Sequence, residues 1–172
     1  LLVEKLGGPS VKPYHPPGLY EQVVAGSSAS TYVQDKGENL YRRSLYTYWK
    51  RSVPNPAMLV FDAPFRETCT VRRSRTTTPL QALNLLNDPT YVEAARLLAE
   101  HMMKDGGADA TARIAYGFKR ATCRPPTPKE TEILTEALND QLDRYRKNPE
   151  AATKLIAIGA RPRDSKLDAP EL

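Results

Sequence analysis

RETCTVRRSRTTTPLQALNLLNDP, residues 66–89, is the stretch whose reading decides the fold. Thr78 suits a helix cap and Pro79 suits the first helical position. Leu80, Leu83 and Leu86 then recur at helical spacing as one apolar stripe. The helix stops at Asn87, and Asp88-Pro89 starts another at once. Ahead of it stand Arg66, Arg72, Arg73 and Arg75. Cationic side chains beside the free N–H groups of a helix start are the makings of an anion site.

Toward the C-terminus the pattern stays helical. Asp88 caps a helix over 89–104, with Val92, Ala95, Leu98, Ala99 and Met102 on one face and Gly106-Gly107 at its end. Asp109 or Thr111 opens the next, over 110–122, with Ile114, Ala115, Phe118 and Ala121 as its inner face. Thr127-Pro128-Lys129-Glu130 is a capping box with proline at the first helical position. It opens a helix of about twenty residues by pattern. The apolar face of that helix is Ile133, Leu134, Ala137, Leu138, Leu142 and Tyr145. Asn148-Pro149 starts a last helix with Leu155, Ile156 and Ile158 facing inward, and Gly159 ends it. The tail RPRDSKLDAPEL reads as polar and loose.

Toward the N-terminus the chain is irregular. GGPSVKPYHPPG, residues 7–18, reads as an extended arm lying over a core. Its Pro13 and Pro16 also have the PxxP spacing of a peptide ligand. Leu19–Val24 suits one or two helical turns, and GSSAS at 26–30 an exposed loop. Residues 39–52, NLYRRSLYTYWKRS, fit two patterns. Leu45, Thr47 and Trp49 alternate as in a strand, while Tyr41, Leu45, Tyr48 and Trp49 share a helical face. Helix is favoured, because the rest of the chain is helical. The aromatics read as core before they read as a stacking surface for sugars or bases. Ala57–Phe61 is a short apolar turn closed by Asp62-Ala63-Pro64.

The expected fold is mainly α: an irregular helical domain with a long Pro-rich N-terminal arm and loops. It is laid out in one domain fragment over 1–172. Residues 1–38 form the arm and loops, 39–78 the aromatic and Arg-rich segment, 79–159 the helical core, and 160–172 the tail. The chain opens on Leu-Leu-Val and closes on DAPEL, which reads as a piece truncated at both ends. Its 172 residues and 40% hydrophobic content suffice for a core. The net charge of +5 comes from 25 basic against 20 acidic residues, largely interspersed. That argues against a dedicated nucleic-acid stripe, though the Arg cluster keeps nucleic-acid binding as an alternative. No apolar run is long enough to span a bilayer.

Few residues could converge for chemistry. His15 and His101 have no Cys, Asp or Glu at ligand or triad spacing, so no metal site and no catalytic residue is assigned. There is no GxSxG, P-loop, GxGxxG or HExxH. Asp62 and Glu67 could act as a carboxylate pair, or as salt-bridge partners of the nearby arginines. Arg72, Arg73 and Arg75, with the hydroxyls of Thr76, Thr77 and Thr78, are the anion-binding candidates. A sulfate, phosphate or uronate suits them. The competing expectation is that these arginines pair internally and pin loop to helix. Cys69 and Cys123 are either a disulfide or two buried thiols.

GGPSVKPY, PPGLYE, YRRSLYTYWKR, FDAP, VRRSRTTTPLQALNLLNDP, YVEAARLLAE, RIAYGFKRAT and RPPTPKE occur here in that order. Together they resemble the planctomycete domain of unknown function numbered 1553, over nearly the whole chain. The resemblance implies the C-terminal part of a large exported protein, periplasmic or at the cell surface. Upstream it implies a cytochrome-c-like domain and a partner domain of unknown function numbered 1549. Haem c would then belong elsewhere in the full-length protein, with no cofactor in this fragment. It implies no reaction. Cys123 stands where the family more usually has glycine, which weakens a family-wide Cys69–Cys123 bridge. Members normally continue into a further helix, so an apolar groove is expected on this chain.

The resulting expectation is a non-catalytic module that binds or organises a partner domain or an acidic ligand. The alternatives are part of an enzyme acting on extracellular polysaccharide, and a nucleic-acid binder.

Overall fold

The structure, a computed structural model, describes residues 2–23, 31–65 and 67–172. The GSSAS loop at 26–30, Val24 and Arg66 lie outside the described residues. The chain is mainly α. Seven α-helices and two 3-10 turns occur among the described residues, with isolated bridges in place of strands. The chain divides into two compact units, Leu1–Asp88 and Pro89–Leu172.

The first unit is mostly irregular backbone held by specific hydrogen bonds. The arm runs parallel to residues 41–48. The Val3 N–H donates to the Tyr41 carbonyl (2.9 Å), the Val11 N–H to the Tyr46 carbonyl (2.8 Å), and the Tyr48 N–H to the Val11 carbonyl (2.7 Å). Buried Arg42 donates to the carbonyls of Lys5 (3.1 Å) and Gly7 (2.6 Å), and its guanidinium lies 3.9 Å from the Tyr46 ring centroid. The Tyr32 hydroxyl donates to the Pro13 carbonyl (2.7 Å). Helix α1, Leu19–Val23, brings Tyr20 onto Val53 and Tyr32, and the His15 ring meets Tyr20 edge-on and lies tilted against Tyr32.

The helix favoured for 39–52 does not form. Two 3-10 turns, Gly37–Tyr41 and Ser44–Tyr46, flank extended residues instead. The physical reason is that the arm takes the backbone groups of this segment, which a helix would need for itself. Tyr41 and Thr47 are buried, whereas Leu45, shared by both sequence patterns, is exposed.

Helix α2, Pro56–Val60, starts at Asn55, whose side chain accepts the Met58 N–H (3.3 Å). Helix α3, Pro79–Asn87, packs on α2. Its apolar stripe faces the other way. Gln81 is buried (8% exposed), whereas Leu80, Leu83 and Leu86 are 57%, 57% and 76% exposed.

In the second unit α4 (Pro89–Asp105), α5 (Ala110–Thr122), α6 (Pro128–Lys147) and α7 (Pro149–Ile156) each pack on the next in chain order. Asp109, Thr127 and Asn148 cap the last three as their sequences predict. Helix α4 also departs from its apolar pattern. Its buried residues are Glu93, Arg96 and Glu100, while Ala95 is exposed and Leu98, Ala99 and Met102 are half-buried. Arg96 bonds Glu100 (2.6 Å) and donates to the Arg161 carbonyl (2.8 Å), and Glu93 accepts the Arg161 N–H (2.6 Å). That clamp corrects the expectation of a loose tail. Lys104–Asp164 (2.7 Å) and Arg113–Glu171 hold it further along. Gly117 of α5 carries Met102 directly above it, at 2.5 Å from where a Cβ would sit. A groove of about 470 Å³ runs between α4, α5 and α6, lined by Leu98, Met102, Ile114, Phe118, Leu134 and Leu138.

Candidate functional site

The loop between α2 and α3 builds the site. Asp62 follows α2 with φ 57, a left-handed conformation that a short polar side chain tolerates. Its carboxylate accepts the Thr76 N–H (2.9 Å) and the Thr76 hydroxyl (2.8 Å). The Thr76 N–H first, then its hydroxyl, the Arg73 charge and Gln81, hold the Asp62 carboxyl below the usual carboxylate range.

Gln81 is the hub of this junction. Its side-chain amide donates to the Val60 carbonyl (2.9 Å) and to the Thr76 hydroxyl (3.0 Å). Its carbonyl accepts the Thr78 N–H (3.1 Å), and its own N–H donates to the Thr78 hydroxyl (3.2 Å). The start of α3 is therefore a closed capping box rather than an open set of donors. Arg73 donates to the Phe61 carbonyl and so also serves the junction.

The remaining candidates divide cleanly. Arg72 and Arg75 are exposed and have no hydrogen-bond or ion-pair partner among the described residues. They line an open cleft of about 650 Å³ together with Phe61, Asp62, Arg73, Ser74 and Thr76. Thr77 is exposed beside it. Glu67 is paired with Arg51 (2.7 Å), a different partner from that of Asp62. Cys69 and Cys123 are both free and exposed, which corrects the expectation of buried thiols: each follows a bend or helix end on the surface and not an inward-facing position. Among the described residues no group of three or more His, Cys, Asp and Glu is placed to hold a metal ion. No helix among them is long and apolar enough to cross a membrane.

Gln81 was missed as a functional position, although Thr78-Pro79-Leu80-Gln81 carries the same capping-box spacing as Thr127–Glu130. The Asp62–Thr76 contact spans fourteen residues and has no local signature.

A comparison with known families matches residues 1–138 to PSD1, protein of unknown function (DUF1553). The chain belongs to that family. The PSD1 match takes in both the arginine loop and the Asp62–Thr76–Gln81 junction. No curated protein and no solved structure matches the chain.

Proposed function

We propose that this PSD1 chain is a non-catalytic module of an exported, multidomain planctomycete-type protein. It binds an acidic ligand, or organises an acidic partner domain, through the arginine loop. The observation that carries the binding is the pair Arg72 and Arg75. Both guanidiniums stand unpaired among the described residues, beside a cleft whose other polar groups largely bond one another. A cation that serves no internal partner keeps its full capacity for a fork-like bond to carboxylate, sulfate or phosphate. What supports leaving catalysis out is that Asp62 and Glu67 are taken up by separate partners, Thr76 and Arg51. Export and a haem-bearing neighbour rest on the family resemblance.

Calorimetry and thermal shift with inorganic phosphate, sulfated oligosaccharides, oligouronates and polyglutamate test the reading. Binding is expected to weaken with salt. The double substitution Arg72→Ala/Arg75→Ala is expected to weaken it by about tenfold or more. Binding by none of these anions, or undiminished binding by the double variant, overturns it. Arg73→Ala is expected to lower the melting temperature without any ligand, since Arg73 serves the junction.

A further inference from the structure

The cleft at the arginine loop holds more than cations. Arg72, Arg73 and Arg75 line it, and so does one carboxylate, Asp62. Ser74 and Thr76 add hydroxyls, and Phe61 and Val71 add apolar surface. Its volume of about 650 Å³ lies in the range of sites for organic ligands. A bare inorganic anion, a few times the ~30 Å³ of a water molecule, fills little of it. The cleft is open, so it suits one unit of a chain that runs on past it better than an enclosed small molecule.

Asp62 narrows the kind of anion that fits. A carboxylate has about four acceptor positions. Thr76 takes two of them with its N–H and its hydroxyl, and Gln81 lies alongside. Acceptor capacity therefore remains on a residue that lines the cleft. The group also stays ionised, because those bonds and the Arg73 charge hold it below the usual carboxylate range. A fixed negative charge among the arginines repels a dense polyanion, such as a phosphate chain or a run of glutamates. The same charge attracts a hydroxyl proton. The matching ligand carries one anionic group for Arg72 and Arg75 and, close beside it, hydroxyl donors for Asp62. An apolar face for Phe61 and Val71 completes the match. An acidic sugar ring has all three within one unit: a carboxylate or sulfate, neighbouring hydroxyls and a C–H face.

We propose that this cleft is a saccharide subsite for an acidic sugar unit of a polysaccharide chain. Arg72 and Arg75 hold the anionic group, and Asp62 accepts the hydroxyls. This rests on the reading of the arginine loop as an anion site and narrows that site to one ligand class.

The test is titration calorimetry on the whole chain with an oligouronate, a sulfated oligosaccharide, a neutral oligosaccharide and polyglutamate. The tighter of the two acidic oligosaccharides is also tested with its hydroxyls O-methylated. The hydroxyls are removed on the ligand because Asp62 also holds Thr76, and substituting it would disturb the junction. One acidic oligosaccharide is expected to bind about tenfold or more tighter than the neutral one and than polyglutamate. Whether it is the uronate or the sulfated chain tells carboxylate from sulfate as the anionic group. Methylation is expected to weaken it about tenfold, since the site's acceptor is then left unpaired. Arg72→Ala/Arg75→Ala is expected to bring it down to the level of the neutral chain. If polyglutamate binds as tightly as the acidic oligosaccharides, or methylation changes nothing, the saccharide subsite is overturned while the anion site stands. If no probe binds, if the neutral chain binds as tightly as the acidic ones, or if the double variant binds undiminished, the anion site falls with it.

Discussion

Cys123→Gly is expected to stabilise the protein. Cys123 is the C-cap of α5, with φ 60 and ψ 18, and its N–H donates to the Lys119 carbonyl (2.9 Å). That conformation closes a helix end well, but an L-side chain there crowds the backbone by about 1–2 kcal/mol. Glycine removes the strain and loses about 0.5–1 kcal/mol of it again through its freer unfolded chain. The net gain is about 0.5–1 kcal/mol, or a rise of about 2–4 °C in melting temperature for each kcal/mol in a chain of this size. The thiol is exposed, so its removal forfeits little packing. Thermal unfolding by calorimetry under reducing conditions is the assay. Cys123→Ala is the control, because alanine keeps the Cβ and should gain nothing. A Cys123→Gly protein no more stable than the parent, or an equal rise with alanine, refutes the strain argument. The prediction also gives a physical reason for the glycine that the family resemblance leads one to expect at this position.

Gln81→Leu should destabilise by about 2 kcal/mol or more, since the Thr78 N–H and the Val60 carbonyl both lose their partner. Leu83→Gln should change stability by less than about 0.5 kcal/mol, because Leu83 is exposed. Urea unfolding followed by circular dichroism compares the two, and a larger loss from Leu83→Gln would reverse the assignment of inner and outer faces. At α6, hydrogen bonds from Arg124, then from Thr127, lower Glu130 from its ordinary 4.5 to about 2. A depressed folded value means that this stabilisation is fully present above pH 4.5 and is lost as pH falls toward 2, where the unfolded chain takes up the proton first. Glu130→Gln should therefore flatten the dependence of stability on pH in that window, and an unchanged slope would show that the carboxylate contributes nothing.

Much of the second unit was legible because its signals are local. Thr127-Pro128 with Glu130 three residues beyond the cap, Asp109, and Asn148-Pro149 satisfy helix-end donors within one turn, and no distant residue can override that. The start of α3 at Thr78-Pro79 was legible for the same reason. The 39–52 segment was not. Its helix and strand patterns were nearly balanced, and the arm decided the matter by taking its backbone groups.

By itself, then, the sequence determined where most helices begin and end, the mainly α class, the family, and the presence of a cationic loop ahead of α3. Only the tertiary structure decided which helix faces turn inward. It buried Gln81 in α3 and left the leucines of that helix outside, and in α4 it buried the Glu93–Arg96–Glu100 group ahead of the apolar residues. It also sorted the arginines, giving Arg73 to the Phe61 carbonyl and leaving Arg72 and Arg75 unpaired among the described residues. The physical reason is that helix ends are governed by donors and acceptors a few residues apart. The burial of a polar group depends on partners far along the chain, such as the Val60 and Arg161 carbonyls, which no local pattern announces.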